Sequence, residues 1–378
     1  MNAEYRINSY LQQRKENHLY RQLTVNQDSI DFSSNDYLGL SRAAFIRQQV
    51  DNDYKNNFRF KKSGATGSRL LNGNSELYDN VEAMLAKIHH AEAALIYNSG
   101  FDANVGLIST VARPSDTIFY DEMVHASIHQ GMRLSGATLI SYKHNNYEDL
   151  EEKLKEHSAA GIGFIVTESI FSMEGDRPDL KKLAELAGVY AVHLILDEAH
   201  ATGLFGSGGS GLCNVAGIED KCFARIYTFG KAIGSHGAVV IGSQNLKEYL
   251  INFSKNFIYS TALETHNLLC VKHSYIYLQN NINQLFKLVN LNNYFKNKSK
   301  ELKDRFEIRG DGPIFGIIVP GNKKCKDLAF YLQNHNLDVR AILTPTVPER
   351  LERLRIILHS FNTSEEIDQL FSLLIDYK

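Results

Sequence analysis

The sequence predicts an α/β fold, with a mostly parallel sheet in a large domain and a smaller α+β unit in the carboxyl-terminal third. Three observations lead there. Short apolar runs alternate with helical stretches from about residue 75 to 245. The runs AALIYNSG, DTIFYD, GFIVTES, AVHLILDEAH, ARIYTFG and GAVVIGS have strand length and no polar alternation, as in strands of βαβ units buried on both faces. Several also end in a polar or charged residue, at the edge where open α/β sheets place their ligands.

The elements follow in order. Tyr5 to Leu23 reads as a helix or arm, with apolar residues three and four apart. DFSSNDYLGL is a short strand running into a turn-rich cluster. After the alternating region, residues 245 to 305 are rich in Asn, Lys and Leu and read as helical. GPIFGIIV and LDVRAIL are strands of the smaller unit, and Thr363 with Glu366 forms a capping box before a final amphipathic helix. The expected division is an arm over 1–40, a large domain over 41–255 and a small domain over 256–378.

Composition narrows the function. With 43% hydrophobic and 22% charged residues, the 378-residue chain is an ordinary globular protein. A net charge of −2 provides no basic face for nucleic acid. Cys213, Cys222, Cys270 and Cys325 show neither CxxC pairing nor zinc spacing, so reduced thiols of a cytoplasmic protein are expected. The amino terminus has no apolar signal core, and no run approaches the length of a membrane span. The adjacent pair His89 and His90 points in two directions on a helix, so solvated or capping roles are expected rather than metal ligation. No metal site is expected.

One motif invites a different reading. Asp197 to His200 spell DEAH, which in helicase motors holds magnesium beside ATP. Such motors need a phosphate loop G-x-x-x-x-G-K-[ST]. The nearest candidate, TFGKAIG, has Arg225 in place of the first glycine and Ala232 after the lysine. It also follows the acidic motif, whereas motors place the loop first. The motor reading fails.

Asp197 ends a buried strand, His200 lies on the turn beyond, and Lys231 follows the next strand. An acid, a histidine and a lysine at neighbouring strand ends suit a cofactor with an aldehyde, a phenolate and a pyridine nitrogen: pyridoxal 5'-phosphate, PLP. The helix opening after AALIYNSG offers amides and a dipole to a phosphate, and Thr228 adds a hydroxyl. The loop GSGGSG reads as a turn rather than a phosphate cradle.

Ordered blocks then give a resemblance over nearly the whole chain. They are SSNDYLGLS (33–41), SGATGSRLLNG (63–73), NSGFDANVG (98–106), DEMVHASIHQG (121–131), TESIFSMEGD (167–176), LDEAHATGLFG (196–206), TFGKAIGSHGA (228–238), YSTAL (259–263) and PTVPERLERLRI (345–356). The sequence resembles the α-oxoamine synthase family of fold-type-I PLP enzymes, which condense an amino acid with an acyl thioester and release carbon dioxide. The resemblance implies a role for each matching residue. Lys231 would bond to the cofactor aldehyde and later remove the substrate's α-proton; Asp197 would pair with the pyridine nitrogen. His200 and Ser172 would approach the phenolic oxygen, and His125 would stack on the ring. Gly100, Phe101 and Thr228 would hold the phosphate, joined by Ser260 and Thr261 of a partner in a homodimer. Arg355 and Asn35 would bind the amino acid's carboxylate, while Arg353, two residues from Arg355, reads equally well as a surface charge.

The expected reaction joins L-alanine to a pimeloyl thioester on coenzyme A or a carrier protein, in biotin biosynthesis. Glycine or serine with other acyl thioesters are alternatives within the family; an aminotransferase, a carbon–sulfur lyase or a noncatalytic homologue are alternatives outside it. Two departures bear on the acyl chain. Leu343 stands where some relatives have an arginine for a distant carboxylate, and Arg340, three residues earlier, falls on the opposite face of a strand. Arg21, in the arm, is a candidate for that carboxylate. Tyr78 stands where relatives often have histidine.

Overall fold

The computed structural model describes residues 2–25, 28–57, 63–157 and 161–377. The chain forms two compact units, one of residues 38–172 and 177–283, the other of residues 1–37, 173–176 and 284–378. Helix Thr265–Asn280 thus belongs to the larger unit.

The larger unit is built on seven strands: β1 (Ala93–Tyr97), β2 (Thr117–Asp121), β3 (Thr138–Tyr142), β4 (Gly163–Glu168), β5 (His193–Asp197), β6 (Cys222–Thr228) and β7 (Ala238–Gly242). Their order in the sheet is β1-β7-β6-β5-β4-β2-β3. All neighbours are parallel except β7, which runs antiparallel to both β1 and β6. Every residue of β1 and β4 is buried, as their unbroken apolar runs require. Strand β3 lies at the sheet edge, with three of its five residues exposed, and shows no apolar run.

Since β1 and β6 both flank the reversed β7, they point the same way as β5, β4 and β2. With β3, parallel to β2, six carboxyl ends share one sheet edge, and those of β1, β2, β4, β5 and β6 carry the candidate residues. They lead into Gly100, His125, Ser172, His200 and Lys231 in turn. Leu95, Ile118, Phe164, Ile195 and Ile226 pack in one apolar cluster with helices on the sheet face, so the strand ends rest on a fully buried core.

The smaller unit holds an antiparallel sheet of β8 (Ile308–Arg309), β9 (Ile314–Ile318), β10 (Arg340–Ile342) and β11 (Arg353–Ile357), in the order β10-β11-β9-β8. Its final helix, Ser364–Asp376, starts with the expected capping box of Thr363 and Glu366. The amino-terminal helix spans Ala3–Glu16 and buries none of its residues. No helix among the described residues is long and apolar enough to cross a membrane.

Candidate active site

In the larger unit, β4 and β5 pair in register so that Glu168 and Asp197 stand side by side at their ends. Both are buried. One oxygen of Asp197 accepts the backbone N–H of Ala199 at 2.8 Å, and the other accepts the side-chain amide of Asn104 at 2.7 Å. Glu168 accepts the backbone N–H of His125 at 2.6 Å. Burial first, then the charge of Asp197, pushes the Glu168 carboxyl well above its ordinary range. Asn104 and Glu168 were not singled out from the sequence, although both lie in the quoted blocks. Asn104 sits one turn beyond Gly100 on the same helix, and that spacing was the available signal.

Helix Gly100–Val111 begins directly after β1, with the Ser99 hydroxyl capping the N–H of Asp102 at 3.0 Å. The amides of Gly100 and Phe101, in the first turn, have no carbonyl of their own helix within reach. A Cβ added at Gly100 would lie 3.3 Å from the Thr228 hydroxyl, so the glycine keeps a narrow space open between the helix start and the end of β6. Lys231 lies on the tight turn after β6, which Gly234 closes at φ +68° while accepting a backbone approach from Ser41 that a side chain would block. His200 is buried on the turn after β5, and Ser172 is half-buried beyond β4.

His125 precedes helix Ala126–Ser135, and its ring caps that helix by accepting the N–H of Ser127. Burial is the main cause holding its pKa below the ordinary value, with Lys231 and His129 adding to the effect and Asp197 opposing it. Thr261 pairs with Ser68 in an isolated bridge and accepts a hydrogen bond from Asn98 at 2.6 Å through its carbonyl; Ser260 precedes it. Near them, a cavity of about 390 Å³ is lined by Gly64, Thr66, Asn74, Tyr78 and Thr265, among others. Tyr78 is buried, donates to the carbonyl of Leu263 at 3.1 Å and lies under the guanidinium of Arg69.

The second acid of the DEAH motif has a role unrelated to magnesium. Glu198 is fully buried and accepts the amides of Leu212 and Cys213 and the hydroxyl of Ser169. It anchors the end of GSGGSG, which is a turn with positive φ at Gly206, Gly208, Gly209 and Gly211. Burial pushes its pKa up to about 7.

In the smaller unit, Arg355 donates to the side-chain oxygen of Asn35 at 3.1 Å, and Tyr37 donates to the same oxygen at 3.3 Å. The sequence-expected pair is thus brought together. For Arg353, which the sequence left open, the surface-charge alternative fails. It is wholly buried and paired with Glu174 at 2.8 Å, on a strand whose five residues are all buried. Arg340 is engaged by Asp338 at 2.8 Å and by Thr24 at 2.7 Å. Arg21 is exposed, and Leu343 is half-buried.

His89 takes the capping one of its two expected roles. It caps helix Glu76–Ile88, but it is buried rather than solvated, between the carbonyl of Ser210 and the hydroxyl of Tyr275, each at 3.0 Å. Only His90 is exposed. No group of three or more possible metal ligands occurs among the described residues, and all four cysteines are free thiols.

The family profile "Aminotransferase class I and II" matches residues 27–374. The 8-amino-7-oxononanoate synthase of Emericella nidulans is 37% identical over 384 residues, covering 95% of this chain and 92% of that protein. The enzyme of the same name from Lysinibacillus sphaericus is 36% identical, covering 90% and 86%. Among solved structures, 8-amino-7-oxononanoate synthase from Francisella tularensis superposes with a TM-score of 0.78 at 31% identity, covering 92% of this chain and 96% of that one. A serine palmitoyltransferase of S. paucimobilis has a TM-score of 0.90 at 21% identity, covering 99% and 97%, which shows the shared fold. The chain therefore belongs to the class I and II aminotransferase family, in its α-oxoamine synthase branch of PLP-dependent enzymes.

Proposed function

We propose that this enzyme condenses L-alanine with a pimeloyl thioester, releasing carbon dioxide and the free thiol, to give 8-amino-7-oxononanoate for biotin biosynthesis. The observation that carries the reading is the shared sheet edge, where five strand ends bring together Asp197, His125, His200, Lys231 and the Gly100–Thr228 space. The choice of alanine and pimeloyl follows the names of the relatives.

The residues present fit PLP. Asp197 is an anion for a pyridinium nitrogen, Lys231 an amine for an aldehyde, and the free first-turn amides with Thr228 form a phosphate cradle that a Cβ at position 100 would narrow. Bound there, PLP supplies an electron sink for the carbon next to the substrate's amino group. Lys231 removes the proton from that carbon. Arg355 holds the amino acid's carboxylate in a charge-assisted pair, with Asn35 fixing the guanidinium. His200 and Ser172 would donate toward the phenolic oxygen, and His125 would cover one face. The active enzyme is a cytoplasmic homodimer in which Ser260 and Thr261 of the partner complete the phosphate site. The distant carboxylate of the acyl group pairs with Arg21, stays in solvent, or is masked as an ester on a carrier protein.

Leu343 favours a second reading, in which glycine takes an uncharged acyl group such as acetyl, because an unpaired carboxylate beside leucine is costly. The test is turnover of alanine with pimeloyl thioester against glycine with acetyl, succinyl and long-chain thioesters, with the ketone identified by mass. A wide margin for glycine with acetyl thioester would overturn the alanine assignment. Borohydride treatment of the yellow protein should fix the cofactor to Lys231, and a label on another lysine would remove that residue from its role.

A further inference from the structure

Asn104 is 2% exposed and lies on helix Gly100–Val111, facing Asp197. Its amide nitrogen has two hydrogens. One goes to Asp197 Oδ2 at 2.7 Å and the other to Ser127 Oγ at 3.0 Å. A carboxylate only accepts, so Asp197 fixes which end of the Asn104 amide faces it. Ser127 Oγ receives one hydrogen from Asn104 and lies 2.8 Å from His125 Nδ1. The backbone N–H of Ser127 also points at Nδ1, at 3.2 Å. An N–H can point there only if Nδ1 carries a lone pair. The Ser127 hydroxyl must then donate to Nδ1 as well, and the ring hydrogen sits on Nε2.

We propose that Asn104 and Ser127 are positioning residues that hold His125 as the neutral Nε2–H tautomer and tie its orientation to Asp197. Nε2 has no protein partner among the described residues; the ring keeps one exposed face while its Nδ1 edge is packed against Ser127 and is the buried part. His125 then presents one donor and no acceptor, which suits a carboxylate or ketone oxygen of the substrate and rejects a second donor. The choice of substrate oxygen rests on the acyl-transfer reading above; the tautomer does not. The charged and titratable groups around the ring are Asp197, Lys231 and His129, with Glu168 on the backbone N–H of His125. Burial, Lys231 and His129 all favour the neutral ring, and Asp197 alone opposes it.

The experiment labels histidine nitrogens in the full-length chain and reads the ring shifts at neutral pH, as purified and after adding PLP, with assignment by His125→Asn. Wild type should show an unprotonated Nδ1 and a protonated Nε2 at His125. Ser127→Ala and Asn104→Leu should mix the tautomers and move the acidic limb of the kcat profile upward. Both should lower kcat about tenfold, the factor carried by one ordinary hydrogen bond, with little change in the amino-acid KM. Ser127→Ala removes one buried hydroxyl and keeps the test available if Asn104→Leu does not fold. A proton on Nδ1 in wild type, or shifts and a pH limb unchanged in Ser127→Ala, would overturn the proposal. Expected shifts without ketone formation from any thioester would leave the tautomer standing and remove the acyl-transfer reading instead.

Discussion

Glu168 and Asp197 are paired in register on adjacent parallel strands, so two buried carboxyl groups meet at the edge that carries the candidate site. Two negative charges so placed repel, and burial raises the cost of each. Asp197 has two N–H donors, from Ala199 and Asn104, while Glu168 is pushed toward its protonated form. The pair is therefore uneven, with Glu168 the member driven toward the neutral acid.

This asymmetry separates two conservative substitutions. If Asp197 faces the cofactor's nitrogen as proposed, Asp197→Asn should cut turnover on the order of a thousandfold, read as α-proton exchange as well as ketone formation. Glu168→Gln copies the protonated acid and should stay within about threefold of wild type, less than the factor one hydrogen bond carries. Equal losses in the two variants would contradict the charge assignment.

Arg355 can be tested by splitting binding from chemistry. Arg355→Lys keeps a cation but loses the planar fork, and the KM for the amino acid should rise about ten- to hundredfold, the range of a charge-assisted hydrogen bond. The thioester KM should stay nearly constant. An unchanged amino-acid KM would place the carboxylate elsewhere.

Arg353 and Glu174 make a stability test in the same unit. The guanidinium is wholly buried, and one of its nitrogens already has no partner. Glu174→Ala should cost about 3–5 kcal/mol in urea unfolding because it leaves a buried charge unpaired. Replacing both residues with leucine should restore much of that loss. A mild effect from Glu174→Ala alone would mean that water reaches the arginine.

His89 sets an acid limit on the fold. Burial drives its pKa down from 6.5 to about 3, so the unfolded chain binds a proton there that the folded chain refuses. The stabilising effect is complete above pH 6.5 and is lost as pH falls toward 3, at up to about 1.4 kcal/mol per pH unit. His89→Phe should flatten that part of the stability profile while lowering the plateau, since Ser210 and Tyr275 lose their partner. An unaltered slope would assign the acid sensitivity to other groups.

The sequence announces the buried strands because both faces of each are apolar, and it announces the strand-end residues because polarity appears abruptly there. Edge strand Thr138–Tyr142 lacks that signal, being largely exposed. The reversal of β7 is also invisible locally, since an apolar run reads the same in either direction. Glu168 and Asn104 escape for a related reason. Their meaning depends on the register between β4 and β5 and on the turn of a helix against a distant strand. Arg353 was ambiguous because burial on β11 depends on Glu174, which lies far away in the chain.

The placement of β7 has a consequence for how the chain matures on the ribosome. Strand β1 has a single sheet neighbour, β7, although more than half of the large unit's sequence separates them. A nascent chain that has produced β1 and the helix bearing Gly100 must wait for residue 242 before that strand can pair. The five strands β2 to β6 are translated in that interval and can zip together first, while β1 remains an unpaired edge prone to association with other chains. The cradle between Gly100 and Thr228 is consequently among the last parts of the large unit to assemble during synthesis.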